Sequence, residues 1–180
     1  MARLQLASLG EQERSERVAF WFFCGFNEAD PQLADLPPAL RQQVCRGVEP
    51  PDPQASSLDP LVLVSLVEDL YGVTNRYLEQ ALEQRGAEVE EVTGEPETMY
   101  PCPCCGYLSL SSSCSYEICP VCFWEDCGVR DPNTLSGPNQ LTLAAARQNV
   151  LEFGACDLVS VERVDRRARE RYLAPQSDAG

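Results

Sequence analysis

The chain has 180 residues and a mass of 19.9 kDa, with 44% hydrophobic and 23% charged residues, which excludes a fibrous or wholly disordered protein. Its formal net charge is -14 and all 14 basic residues are arginine, so a broad nucleic-acid surface is not expected. Histidine is absent, which excludes the usual general base, the Ser-His and Cys-His nucleophile pairs and imidazole metal ligands.

The first half of the chain predicts a small helical bundle. Capping residues or prolines mark four helix starts, and glycines or polar loops mark the ends. The predicted starts are Ser8 with Glu11 as a capping box, Pro37, Asp59 and Thr74. The glutamate-rich segment 88–98 resembles a linker, and we place a domain boundary near residue 96. The prediction is an acidic helical domain at 1–96, net -11 over residues 1–100, and a cysteine-rich domain at 97–180.

Bulky side chains cluster at the end of the first predicted helix. An exposed docking surface and a buried core both fit such a cluster, and we favour the core because these side chains usually lie in the interior. We interpret Cys24 and Cys45 as small core residues as well. The cluster consists of Val18, Phe20, Trp21, Phe22 and Phe23.

The strongest motif is a pair of C-x2-C knuckles, Cys102 with Cys105 and Cys119 with Cys122. Four thiolates in this pattern can surround one zinc ion tetrahedrally, because the tight turn of each knuckle aims both sulfur atoms at the metal. Such a site is closed to water and substrate, so we expect one structural Zn(II), with rubredoxin-like iron as the less favoured occupant. Cys104, Cys114 and Cys127 could bind an additional metal or act as reactive thiols. A thioredoxin-like redox couple in the C-x2-C motifs is disfavoured, because the surrounding pattern is a knuckle and not a βαβ unit.

Period-two alternation at 107–110 and 115–118, around a serine-rich turn, predicts a β-hairpin between the knuckles and therefore a zinc ribbon. Thr142 caps a later helix that ends at Gly154 and is expected to cover the ribbon. No internal repeat is evident. The predicted fold class is α+β, a small N-terminal helical bundle followed by a zinc-ribbon module covered by helices.

The motifs CPCCGY, SYEICPVCFWED, GPNQLTLAAARQN and LEFGACD, between about residues 100 and 157, resemble the cysteine-rich CPCC family. This is a bacterial family of small proteins to which zinc binding is ascribed. The resemblance supports the four knuckle cysteines as ligands, argues against Cys127 as a ligand and implies no catalytic residue. The N-terminal half lies outside it.

Charge and composition favour a non-catalytic zinc-binding protein that binds another protein. The start of the chain shows no signal-peptide pattern and no apolar run long enough for a membrane span, so we expect a cytoplasmic location without membrane association. The concrete hypothesis is an acidic immunity protein or antitoxin that inhibits a basic, nucleic-acid-targeting toxin, because an acidic surface is steered to a basic cleft. Candidate partner-binding residues are Glu68, Asp69, Glu79 and Glu83.

Two other functions are weighed against this hypothesis. A zinc ribbon can take part in nucleic-acid regulation, with aromatic side chains stacking on bases. The aromatic candidates are Tyr107, Tyr116, Phe123 and Trp124. An enzyme using Glu125 and Asp126 as an acid–base pair is the weaker alternative, because no phosphate loop, dinucleotide fingerprint or nucleophile elbow accompanies them.

Overall fold

The computed structural model describes residues 1–165 and 167–175. The chain divides into two compact units, a helical unit Met1–Tyr71 and a second unit that begins at Gly72 and contains a small antiparallel sheet. The predicted α+β class is confirmed by this helix-rich content with one two-stranded sheet. No helix within the described ranges is long and apolar enough to cross a membrane.

Four α-helices and two short 3-10 turns form the first unit. Helix α4 is apolar on almost every side, and its Leu61 and Val62 are fully buried. The Trp21 indole is also fully buried and donates a hydrogen bond of 2.9 Å to Ser65 on α4, which ties α2 to α4. The helices are α1 (Ala2–Ala7), α2 (Glu11–Phe23), α3 (Pro38–Cys45) and α4 (Asp59–Glu68).

Two of the predicted helix caps are wrong. Ser8 ends α1 instead of starting α2, because its hydroxyl donates back to the carbonyl oxygen of Leu4 at 3.2 Å, and Gly10 precedes α2. Asp59 lies in the first turn of α4 without capping it. Its carboxylate instead accepts a 2.8 Å hydrogen bond from the nearly buried Arg14 guanidinium.

The aromatic cluster at the end of α2 is only partly core. Trp21 and Phe22 are buried as expected, whereas Phe20 is 51% and Phe23 is 88% exposed. The prediction of a fully buried cluster is therefore wrong for two of its members, because four consecutive residues span more than one helical turn and only one side of the helix faces the core. Cys24, predicted to be a core residue, is exposed as well.

The second unit contains helix α5 (Asn75–Glu83), strands β1 (Tyr100–Pro101) and β2 (Leu108–Leu110), helix α6 (Leu143–Phe153) and the short helix α7 (Ala168–Arg171). The predicted N-cap of α5 is confirmed, since the Thr74 side chain accepts a hydrogen bond from the amide of Tyr77. The predicted caps of α6 are also present, with Thr142 at its start and Gly154 in the left-handed conformation at its end.

The division after Tyr71 lies well before the domain boundary predicted near residue 96. Helix α5 is bonded to the later chain, because the Thr74 amide donates to the carbonyl oxygen of Arg171 at 2.9 Å. The predicted linker is bonded to α5 in turn, since Asn75 donates to Gly94 and Val92 donates to the Glu79 carboxylate. Independent folding of 1–96 and 97–180 stays a prediction.

The hairpin predicted between the two knuckles does not form. Strand β2 pairs antiparallel with β1, which precedes the first knuckle, and Ile118 bridges Glu125 around the second knuckle. Each knuckle therefore closes its own local hairpin. The serine-rich segment between them is held by the Glu117 carboxylate, which accepts one bifurcated hydrogen bond from the amide and another from the hydroxyl of Ser111.

Helix α6 covers the cysteine-rich module, as the sequence predicts. Leu143 and Ala146 on its inner face are fully buried in the same cluster as the cysteines. Arg147 fixes the helix by donating two hydrogen bonds, at 3.0 and 2.9 Å, to the carbonyl oxygen of Pro103 inside the first knuckle.

Candidate metal centre

Both knuckles deliver their sulfur atoms to one point. The Sγ atoms of Cys102, Cys105, Cys119 and Cys122 all lie within 4.8 Å of one another. The separation between Cys102 and Cys122 is 3.7 Å, and that between Cys105 and Cys119 is 3.6 Å. Three of the four cysteines are buried and Cys105 is half-buried. The predicted ligand set is therefore brought together in space.

Backbone hydrogen bonds shape the first knuckle. The Cys102 amide donates to the carbonyl oxygen of Tyr107 at 2.9 Å, and the Gly106 amide donates to the carbonyl oxygen of Cys102 at 2.8 Å. Gly106 has a φ of +79°, a conformation that favours glycine. The turn places Cys102 and Cys105 on one side of the loop.

The second knuckle repeats these bonds seventeen residues later. The Cys119 amide donates to Trp124 at 2.9 Å, and the Phe123 amide donates to Cys119 at 2.8 Å. Phe123 occupies the position of Gly106 and has a φ of +68°. The two knuckles therefore share one turn geometry, in agreement with the CP-x-C pattern common to CPCC and CPVC.

The four thiols fit a tetrahedral metal ion. Four sulfur atoms at about 2.3 Å from a common centre would be separated by about 3.8 Å, close to the 3.6 and 3.7 Å measured here. Thiolates suit zinc and iron, and an all-cysteine site has no position left for a reacting water molecule. The cluster can hold a metal ion.

Electrostatics in the cluster favour the thiolate form of Cys119. Hydrogen bonds from Cys102, Cys105 and Cys122 hold the pKa of Cys119 well below its ordinary value. The pKa of Cys102 is raised by its interaction with Cys105, and that of Cys122 by its interaction with Cys102. A divalent cation bound between the sulfur atoms would favour the thiolate form of all four ligands.

Two further groups hold the Cys119 sulfur atom. The Ser109 hydroxyl lies 3.2 Å from it, and the Val121 amide donates to it at 3.4 Å. Groups of this kind orient a ligand and tune its charge. The prediction from sequence missed Ser109, although it is the only residue between the strand-forming Leu108 and Leu110.

Asp126, half of the acid–base pair in the weaker enzyme alternative, is a fully buried carboxylate. Burial alone would raise its pKa, but hydrogen bonds from Arg130 and from the amides of Cys114 and Gly128 lower the pKa below the ordinary value. The Arg130 guanidinium binds both carboxylate oxygens, at 2.7 and 2.9 Å. The neighbouring Glu125 is partly buried, and its backbone groups pair with the Asn139 side chain.

The three cysteines considered for an additional metal or a reactive thiol lie outside the four-thiol cluster. Cys104 is buried in the core beneath the knuckles. Cys114 is exposed, with its sulfur atom 3.4 Å from the Arg130 guanidinium, and the Cys127 thiol lies 3.2 Å from the Ser136 hydroxyl. In the ranges that the structure covers, no second group of three or more metal-binding side chains is found.

The predicted partner-binding carboxylates do not share one unit. Glu68 and Asp69 lie in the first unit and are exposed, and Asp69 is paired with Arg17 at 2.7 Å. Glu79 and Glu83 lie on α5 of the second unit, where Glu79 is partly buried.

The aromatic residues considered for base stacking are mostly turned inward. Trp124 is fully buried, Tyr107 and Phe123 are partly buried, and Tyr116 is 62% exposed. The Phe123 ring carries the guanidinium of Arg163 at 5.5 Å from its centroid. Of the four, Tyr116 presents most of its ring to solvent.

Residues 100–171 match the family model described as Cysteine-rich CPCC. This segment belongs to the cysteine-rich CPCC family. The match confirms the resemblance stated from the sequence and extends the CPCC segment past α6 into α7. Residues 1–99 lie outside the match. Neither the curated proteins nor the solved structures contain a significant match to the chain.

Proposed function

We propose that the CPCC segment binds one structural Zn(II) through Cys102, Cys105, Cys119 and Cys122. The observation that carries this proposal is the convergence of four mostly buried sulfur atoms at near-tetrahedral separations. Bound zinc would join the two knuckle hairpins, which share little regular sheet between them. The role of the metal is to stabilise the fold, because four protein ligands close its coordination shell.

The zinc proposal is tested by counting metal ions per chain in the purified protein. We expect one zinc per chain by elemental analysis and native mass spectrometry. Cys102→Ser should lose this ion, whereas Cys114→Ser, a change at an exposed cysteine outside the cluster, should retain it. A red protein with one iron per chain would identify iron, not zinc, as the bound metal. A metal-free protein of unchanged stability would contradict the proposal.

We propose further that the protein acts by binding a basic protein partner, as an acidic immunity protein or antitoxin against a toxin that acts on nucleic acid. The support is the net charge of -14, carried mostly by the first hundred residues, and the absence of histidine. A toxin that acts on nucleic acid needs a basic cleft, and an acidic protein is drawn to such a cleft by long-range attraction. The zinc module would then hold its own shape without taking part in catalysis.

Purification of the tagged protein from its native host, at low and at high salt, tests this function. We expect one basic protein in stoichiometric amount at low salt, lost at high salt, and toxic when produced alone. Association should slow steeply with added salt, because counterions screen the attraction. A partner that is harmless alone would argue for an adaptor or regulator, and a protein that emerges alone would contradict partner binding.

The nucleic-acid alternative is less well supported. The negative charge repels phosphate groups, and the fully buried Trp124 cannot stack on a base. Binding of single-stranded RNA or DNA at moderate salt would reverse this preference.

A further inference from the structure

The outward face of α2 combines exposed aromatic rings with carboxylates. Glu16, Phe20 and Phe23 follow one another at helical spacings of four and three, so they lie along one stripe. Glu68 on α4 lines the same surface depression as Glu16 and Phe20. We call these four residues the aromatic–acidic face.

The Phe20 ring is held in place. Its centroid lies 6.2 Å from that of Trp21 and 6.4 Å from that of Phe26, both at steep interplanar angles. Trp21 is itself fixed in the core by its hydrogen bond to Ser65. A ring that is already ordered loses little conformational freedom when a ligand binds it. Phe23, at 88% exposure, lies one turn further along without such burial.

The two carboxylates on this face are hydrogen-bonded to neutral amides, Glu16 to Gln12 at 3.0 Å and Glu68 to Gln32. Arg17 lines the same depression, and its guanidinium is paired with Glu13 at 2.9 Å and with Asp69 at 2.7 Å. Within the described ranges, neither Glu16 nor Glu68 forms an ion pair. Burial and the neighbouring Asp69 raise the pKa of Glu68, so a cation beside this carboxylate would relieve repulsion.

Arginine fits this combination better than other side chains. A guanidinium stacks flat on an aromatic ring and donates in-plane hydrogen bonds to a carboxylate at the same time. Phosphate groups are repelled by Glu16 and Glu68. A second copy of this chain would bring the same unpaired carboxylates face to face in a two-fold dimer, which is unfavourable.

We propose that the aromatic–acidic face binds an arginine-bearing segment of a basic protein, with guanidinium groups stacked on Phe20 and Phe23 and paired with Glu16 and Glu68. This inference rests on the proposed function as an acidic binding protein and specifies where the partner docks.

Fluorescence anisotropy of the full-length protein tests the face with two short labelled peptides, one alternating arginine with serine and the other lysine with serine. We expect the arginine peptide to bind more tightly. Phe23→Ala and Phe20→Ala should each weaken its binding about two- to fivefold, the range for an exposed cation–π contact. The double variant Glu16→Gln/Glu68→Gln should weaken it by about two- to fivefold at low salt and by less at high salt.

Matched controls separate this face from general charge attraction. Leu151→Ala removes another highly exposed apolar side chain, and Glu49→Gln removes an exposed carboxylate elsewhere in the first unit. Both should bind the arginine peptide like the wild type, with unchanged circular dichroism for all variants. Equal losses in the control and face variants, or no loss in the face variants, would overturn the inference.

Co-purification with the native partner distinguishes failure of the docking-site proposal from failure of the proposed function. If the basic partner co-purifies equally with wild type, Phe23→Ala and the Glu16/Glu68 double variant, the face is not its docking site and the proposed function stands. If neither a basic protein nor the arginine peptide binds the wild type, both proposals fail. Sedimentation equilibrium that shows a dimer abolished by Phe23→Ala, without peptide binding, would assign the face to a second copy instead.

Discussion

The two knuckles of the metal centre have the same backbone hydrogen bonds and different surrounding side chains. Each uses a bond from the first cysteine amide to the residue five positions later, and each returns a bond to that cysteine from the residue four positions later. The residue four positions after the first cysteine is Gly106 in one knuckle and Phe123 in the other. The comparison shows that the cysteine spacing and the turn define the ligand geometry, while the remaining residues can serve other contacts.

The two knuckles also differ at the residue seven positions after the first cysteine. Ser109 in the first lies 3.2 Å from the Cys119 sulfur atom, so it contacts a proposed metal ligand directly. Asp126 in the second accepts hydrogen bonds from Arg130 and from the Cys114 amide, so it holds the loop between the knuckles. One position thus contacts the cysteine cluster in one knuckle and the surrounding chain in the other.

Metal removal should have the largest effect, because it disconnects both knuckles. Structural zinc sites contribute about 10 to 16 kcal/mol in finger peptides at neutral pH, so we expect chelation to unfold the CPCC segment. Circular dichroism and thermal unfolding measure this loss. If the knuckles are equivalent, Cys102→Ser and Cys119→Ser should lower zinc content and thermal stability by equal amounts. Retention of zinc by one of the two variants would show that one knuckle dominates.

Asp126→Asn should come next, with a loss of about 2 to 4 kcal/mol, because it leaves the amides and guanidinium around a buried site without their anionic acceptor. Chemical denaturation measures the free energy of unfolding. Glu152→Gln, a change at an exposed carboxylate, is the matched control and should be neutral. A decrease in the free energy of unfolding below about 0.5 kcal/mol, the range of ordinary surface changes, would show that Asp126 has no structural role.

The Asp126 contribution should also depend on pH. The pKa of this carboxyl is lowered in the folded protein, so its stabilising effect is complete above the ordinary aspartate pKa of about 4. The effect is lost as the pH falls through the lowered value. The difference in stability between wild type and Asp126→Asn should therefore shrink in acid, and a difference that grows on acidification would contradict this sign.

The contrast between Gly106 and Phe123 predicts smaller changes in stability, a loss when glycine is replaced in the first turn and a gain when glycine rather than alanine is introduced in the second. Gly106→Ala should cost about 1 to 2 kcal/mol or more, because φ is +79° and the new Cβ would lie 2.9 Å from Pro175. Phe123→Gly should be more stable than Phe123→Ala by about 1 kcal/mol, since glycine relieves the positive φ. Thermal unfolding of the zinc-loaded variants measures both differences. Equal stability of Phe123→Gly and Phe123→Ala would show that the turn is not strained.

Ser109→Ala should have the smallest effect on the fold and a selective effect on the metal. Loss of a group that orients a ligand lowers metal affinity by about tenfold or more, and we expect the folded zinc-loaded protein to lose about 1 kcal/mol. Competition with a zinc chelator measures the affinity. Ser57→Ala, in the first unit, is the control. Unchanged zinc affinity would mean that Ser109 only fills space.

The candidate site was largely predictable because its ligands are encoded locally. Two C-x2-C motifs each fix a pair of sulfur atoms within one turn, and the caps at Thr74 and Thr142 act within three residues of their own helices. The pairing of β2 with β1 was not predictable from alternation. The same segment, 108–110, could pair on either side, and closure of each knuckle on its own hairpin decided the choice.

The sequence by itself determined the α+β class, the set of four clustered cysteines and the acidic charge, because these depend on composition or on spacing over a few residues. Only the tertiary structure decided that Phe20 and Phe23 face outward while Trp21 is buried, and that Asp126 is held by Arg130. It also decided that α5 belongs with the later chain, through the bond from Thr74 to Arg171. Such outcomes depend on which surfaces pack together, and packing between distant segments leaves no fixed spacing in the chain.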